Sequence, residues 1–133
     1  MPGLFVYGTL MCPDIFEKVT GVQLPARPAE VWGFRRFALK GEQYPALVKS
    51  RGGVVQGFVY SLPVQLWEKL DAFEGEQYKR EPVMVWYEDG KSEPAMTYLF
   101  QPAFHHLLAG HDWDFESFLA SGRESFMASY CLK

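Results

Sequence analysis

The chain opens on four consecutive apolar residues, Leu4-Phe5-Val6-Tyr7, followed at once by Gly8-Thr9-Leu10. That pattern predicts a buried strand delivering the backbone into a turn. Pro13 and Asp14 then predict a short helix through about Val19, closed by Gly21, because proline fits a first helical turn and an acid suits the positive end of the helix dipole. Residues 29–40 alternate imperfectly between apolar and polar positions and carry several rings, which predicts a strand with a bulge or kink near Gly33. Two more extended pieces follow, Tyr44–Val48, whose start Pro45 holds away from helix, and Val54–Tyr60, with Gly52-Gly53 as the turn of the second.

Helical spacing is clearest from Pro63 to Phe73, where Leu66, Leu70 and Phe73 fall at i, i+4 and i+7, Trp67 widens the stripe and Gly75 ends it. Tyr78–Glu88 and Glu93–Phe100 are β-rich runs on either side of Asp89-Gly90, a strong hairpin signal. Residues 104–111 show no clear period. From Asp114 to about Tyr130 helical spacing returns in Phe115, Phe118, Leu119 and Phe126, with a break expected at Gly122. No internal repeat or linker-like segment interrupts the chain, so one domain is expected over residues 1–133. Five or six strands with two or three helices predict an α+β fold whose sheet curls or closes into a small barrel.

Composition narrows the classes open to such a fold. At 133 residues, 48% hydrophobic and 22% charged, the chain is neither disordered nor fibrous. It is long enough to bury roughly two-thirds of its unfolded surface without disulfides or a structural metal. Thirteen basic against sixteen acidic residues give a net charge of −3, so no broad cationic face is available and nucleic acid is not an expected partner. The basic pairs Arg35-Arg36 and Lys79-Arg80 are expected at solvated edges. No uncharged apolar run reaches the roughly 18 residues of a membrane span, and Met1-Pro2-Gly3-Leu4 lacks the basic start of a signal peptide. Cys12 and Cys131, one near each end, suit two reduced thiols in a cytoplasmic setting rather than a disulfide framework. Aromatic residues, at 17%, point to a large core or to a cleft walled with rings.

Three places could carry chemistry. In the turn at Tyr7-Gly8-Thr9-Leu10, successive backbone N–H groups can converge on an anion or a developing oxyanion, although a plain tight turn explains the same residues. Acids gather at Asp71-Ala72-Phe73-Glu74-Gly75-Glu76, the carboxyl end of the clearest helix. There the helix dipole, like charges and flanking rings would raise the Glu74 pKa if it faces a cleft, and a solvated acidic corner is the alternative. Tyr7, Tyr44, Tyr60, Tyr78 and Tyr98 sit in or beside predicted strands, where they can pack in the core or together build a neutral pocket wall. The spacing of His105, His106 and His111 matches no zinc pattern, so no metal is expected. A serine or cysteine nucleophile has no supporting motif.

Taken together, Val6-Tyr7-Gly8-Thr9-Leu10, Tyr44-Pro45-Ala46-Leu47-Val48, Gly57-Phe58-Val59-Tyr60 and Leu70-Asp71-Ala72-Phe73-Glu74-Gly75 followed by Tyr78-x-Arg80 resemble the gamma-glutamylcyclotransferase-like superfamily. The nearest branch is the avirulence-induced plant protein type. The resemblance runs from about residue 4 to residue 100 and, more loosely, through Asp112-Trp113-Asp114-Phe115-Glu116. It implies a small mixed β-barrel with flanking helices and a cofactor-independent cyclisation that releases 5-oxoproline from a gamma-glutamyl amide. It also implies Glu74 as general acid and base, Tyr7, Gly8, Thr9 and Leu10 as a substrate-holding loop, and Tyr78, with Tyr44 and Tyr98, as pocket residues. The opening lacks the aromatic-Gly-Tyr-Gly-Ser form of the glutathione-cleaving members, which argues against glutathione and leaves the leaving amine undetermined. A non-catalytic module binding a small ligand in the same pocket is the competing reading. Neither reading sets the oligomeric state.

Overall fold

The structure is a computed structural model that describes residues 3–128. Six strands order its backbone: β1 (Gly3–Val6), β2 (Ala26–Leu39), β3 (Pro45–Ser61), β4 (Tyr78–Tyr87), β5 (Ser92–Phe100) and β6 (Leu108–Asp112). They lie in the order β3-β1-β5-β4-β2-β6, and β3 also pairs with β2, so five strands close on themselves while β6 flanks β2 outside the ring. β1 runs parallel to β5, whereas every other pairing is antiparallel. The result is the α+β fold with a small mixed barrel that the sequence predicts.

β1 is apolar throughout because both of its faces are covered. Phe5 and Tyr7 join Val31, Val55 and Val85 in a core built from strand residues, the barrel interior. Leu4 and Val6 point the other way, into a second core with Ile15, Phe16, Leu62 and Leu70 beneath the helices. A two-residue alternation with both faces buried reads in sequence as an unbroken hydrophobic run.

The helices follow their punctuation. α1 (Pro13–Thr20) starts on proline and ends where Gly21, at φ +81°, donates its N–H to the Glu17 carbonyl at 2.7 Å. α2 (Trp67–Glu74) continues a single 3-10 turn at Val64–Leu66, and Gly75, at φ +79°, donates to the Asp71 carbonyl at 3.1 Å. The β4–β5 hairpin turns at Gly90, φ +83°, with the Asp89 carboxylate accepting from the Lys91 N–H.

Two expectations need correction. Tyr44–Val48 and Val54–Tyr60 are not separate strands, because the chain does not reverse at Gly52-Gly53. β3 runs unbroken and pairs with β2 from Ala26↔Tyr60 to Ala38↔Pro45, and the glycines form a bulge opposite Gly33, where the register jumps from Trp32↔Val54 to Phe34↔Lys49. A Cβ at Gly53 would lie 2.2 Å from the Phe34 carbonyl oxygen, so the bend needs glycine there. Bent in this way, β2 pairs with β4 near one end and with β6 near the other.

The second correction concerns Gly122, which does not break the C-terminal helix. Asp114 caps its start by accepting from the Ser117 N–H at 2.9 Å. The segment then runs as α3 (Phe115–Ser117), a widened π turn (Phe118–Gly122) and α4 (Arg123–Phe126). Gly122 is small for a packing reason, since a Cβ would meet Gln43 Oε1 at 2.2 Å. Residues 104–111, without a clear period, form the end of a 3-10 turn (Pro102–Leu107) and most of β6. Tyr130 and Cys131 lie outside the described residues. Among the described residues no helix is long and apolar enough to cross a membrane.

Candidate active site

The end of β1 leads through Tyr7 and Gly8 into a 3-10 turn at Thr9–Met11. The Met11 N–H is bonded to the Gly8 carbonyl at 2.9 Å and the Cys12 N–H to the Thr9 carbonyl at 3.1 Å. The Thr9 and Leu10 amides precede the first bonded one, so the turn offers them no partner of its own. Gly8 has negative φ and is required for space, because a Cβ would lie 2.6 and 2.7 Å from the Pro45 ring. Behind the turn, Arg36 Nη1 donates to the Tyr7 carbonyl at 2.7 Å and the Tyr60 hydroxyl donates to the Leu10 carbonyl at 3.1 Å.

Tyr7, Gly8, Thr9 and Leu10 line a cavity of about 150 Å³, and Glu74, the last residue of α2, lines it from the opposite direction in sequence. Burial pushes the Glu74 carboxyl up to about 8, with the charge of nearby Asp71 adding to the shift. Asp71 itself faces outward, pairs with Arg80 at 3.6 Å and accepts from the Tyr98 hydroxyl at 2.6 Å.

Tyr44, Tyr78 and Tyr98 complete the set of sequence-predicted positions on this cavity. The tyrosine hydroxyls tie its walls together: Tyr7 donates to the Tyr98 carbonyl and Tyr78 to the Pro45 carbonyl, each at 2.6 Å. Burial is the leading cause that holds Tyr7, Tyr78 and Tyr98 well above the ordinary phenol range, and the Glu74 charge raises all three further. The wall is therefore neutral around one titratable carboxyl. Tyr60 belongs behind the turn rather than on the cavity.

The sequence reading placed Phe73 beside Glu74 as a desolvating ring, and the other contributors escaped it. Phe5, Val6, Pro45, Phe73 and Phe126 also line the cavity. Arg36 is not the solvated edge residue expected, being half-buried under the turn with its guanidinium 5.2 Å from the Trp113 ring centroid. Neighbouring strand residues face opposite ways, so Arg35 and Arg36 cannot both lie at an edge, and that alternation was the available signal. Arg35 does lie outside, paired with Asp112 at 2.6 Å. Among the described residues no cluster of three His, Cys, Asp or Glu side chains is arranged to hold a metal ion.

A closed mixed barrel with a strand-end turn facing a partly buried glutamate defines a recognisable class. The profile of the family described as "Gamma-glutamyl cyclotransferase, AIG2-like" matches residues 4–115, and the chain belongs to that family. AIG2-like protein A of Arabidopsis thaliana is 32% identical over 129 residues, covering 96% of this chain and 78% of that protein. AIG2-like protein D of the same plant is 32% identical over 130 residues, 96% of this chain and 85% of its own length. In three dimensions the chain resembles an Arabidopsis thaliana protein solved in solution, with a TM-score of 0.72, 30% identity, and coverage of 97% of this chain and 87% of that one.

Proposed function

We propose that the protein is a gamma-glutamyl cyclotransferase that releases 5-oxoproline from a gamma-glutamyl amide. The α-amine of such a substrate is protonated at neutral pH and must lose that proton before it can attack. Glu74 accepts it. The amine nitrogen then bonds to the substrate's own γ-carbonyl carbon, closing a five-membered ring, and the carbonyl oxygen becomes an oxyanion held by the Thr9 and Leu10 amides. As the oxyanion collapses, the bond from the γ-carbon to the leaving nitrogen breaks and Glu74 gives its proton to that nitrogen; the freed Glu74 carboxylate then takes the second proton from the ring nitrogen and passes it to the departing amine, which leaves as an ammonium. Atoms and protons balance without a cofactor. Arg36, Tyr60 and Pro45 hold the turn, and Tyr7, Tyr78 and Tyr98 keep the cavity neutral and rigid.

The observation that supports this reading is the sharing of one small cavity by a carboxyl whose pKa is raised to about 8 and the residues of the turn. A carboxyl so tuned is a far better base near neutral pH than an ordinary glutamate. The reading extends to a single catalytic domain in a reducing, cytoplasmic setting, supported by the buried free thiol of Cys12.

The test is Glu74→Gln, assayed for 5-oxoproline from a panel of gamma-glutamyl amides, with thermal melting as the check on folding. Loss of about two orders of magnitude or more in kcat/KM is expected, with the fold intact. The wild-type kcat/KM should also rise with pH along a limb whose apparent pKa lies near 8. A folded Glu74→Gln protein with full activity overturns the mechanism.

A further inference from the structure

Two unlike sets of residues line the cavity. One is Glu74 with the turn residues Gly8, Thr9 and Leu10. The other is a group of rings from three separate elements: Tyr44 just before β3, Phe73 in α2 and Phe126 in α4. The Phe126 ring meets Tyr44 edge-on at 6.4 Å and 74°, and Phe73 at 6.2 Å and 77°.

Phe126 lies beyond residue 115, where the family match ends, and is only 1% exposed. Its segment is firmly seated. The Trp113 indole N–H donates to the Gln43 carbonyl at 2.8 Å, Arg123 pairs with Asp14, and Phe118 packs edge-on against Phe126 at 6.0 Å. The ring wall is therefore a built feature of the C-terminal segment.

Resting on the cyclisation reading, we infer that Phe126, with Tyr44 and Phe73, forms the wall against which the leaving amine packs, making the substrates gamma-glutamyl amides of uncharged, preferably aromatic amines. With the α-amine at Glu74 and the γ-carbonyl oxygen at the turn, the substituent on the amide nitrogen is placed against the ring group. Glu74 is the only charged side chain among the described residues lining it. A leaving arm bearing a carboxylate, as in a gamma-glutamyl amino acid, would give up water with no cation to meet it. An arm bearing a second ammonium would stabilise the Glu74 carboxylate and weaken it as a base. A neutral ring avoids both penalties and gains edge-to-face contact.

The experiment uses the full chain and four substrates: the gamma-glutamyl amides of methylamine, benzylamine, 1,4-diaminobutane and phenylalanine. Formation of 5-oxoproline gives kcat/KM for wild type, Phe126→Ala and the milder Phe126→Leu. Calorimetry on the Glu74→Gln protein, with and without each Phe126 change, gives binding without turnover. The benzylamide is expected to exceed the phenylalanine amide by at least tenfold in both measures and the diaminobutane amide by at least tenfold in kcat/KM. Phe126→Ala should remove roughly tenfold from the benzylamide, chiefly through KM, while the methylamide changes less than threefold, with Phe126→Leu in between. Turnover without that preference, or an equal loss on every substrate, overturns this inference and leaves cyclisation standing. The binding preference without any product overturns cyclisation and leaves the ring wall standing. Neither product nor binding overturns both.

Discussion

At Gly8, the turn is short of space. A Cβ there would lie 2.6 and 2.7 Å from the Pro45 ring. The ring has little room to retreat, since Pro45 opens β3 and its carbonyl is held by the Tyr78 hydroxyl. In Gly8→Ala the backbone must therefore move, carrying the Thr9 and Leu10 amides with it. A displacement near 1 Å at a reacting centre costs on the order of a hundredfold. Gly8→Ala is expected to lose about that in kcat/KM, mostly in kcat, with a melting temperature a few degrees lower. Steady-state kinetics beside a thermal melt checks this, and wild-type kcat would show that the turn tolerates the shift. The sequence marked Gly8 as a turn residue and Pro45 as a helix breaker. That the two touch is a long-range contact, which neither local pattern contains.

Elements were legible wherever one local rule governed them. Proline and glycine bracket α1, Gly75 ends α2, Asp89-Gly90 turns the β4–β5 hairpin, and each of these sits within a few residues of its own signal. The bent β2–β3 hairpin was not legible in this way. Gly52-Gly53 carries the local chemistry of a turn, and only long-range pairing with β2 converts it into a bulge. The same bend sets Arg36 beneath the active-site turn, where it also donates to the Gln56 carbonyl at 3.3 Å. Arg36→Met keeps much of the stem packing and removes both donations. Leaving the part-buried Tyr7 carbonyl without its partner should cost about 1–3 kcal/mol in denaturant unfolding. A fall of roughly tenfold in kcat/KM should accompany it, with Arg36→Lys partly restoring both because it keeps a charged donor. Destabilisation without any kinetic change would make Arg36 a support of the barrel alone.

Across the molecule, the site costs stability, and pH exposes that cost. Burial raises the Glu74 carboxyl from an ordinary value of 4.5 in the unfolded chain to about 8 in the fold, so between those pH values the native state holds a proton that the unfolded chain has lost. Stability must then fall as pH rises through that window and level off above it. Asp114 and Asp89 act in the opposite sense. Hydrogen bonds, from Ser117 to Asp114 and from the Lys91 N–H to Asp89, hold both carboxyls below their ordinary value, so their contribution is present above that value and is lost as pH falls through the lowered one. Melting temperature is therefore expected to peak near pH 5 and to decline towards pH 8.5. Glu74→Gln should flatten the decline above pH 5 and leave the acid side unchanged. At pH 8 the variant should be the more stable protein, by something on the order of a few kcal/mol. Melts of both proteins from pH 3 to pH 9 decide the matter: parallel curves would mean that Glu74 titrates as an ordinary solvated carboxyl, removing the base on which ring closure depends.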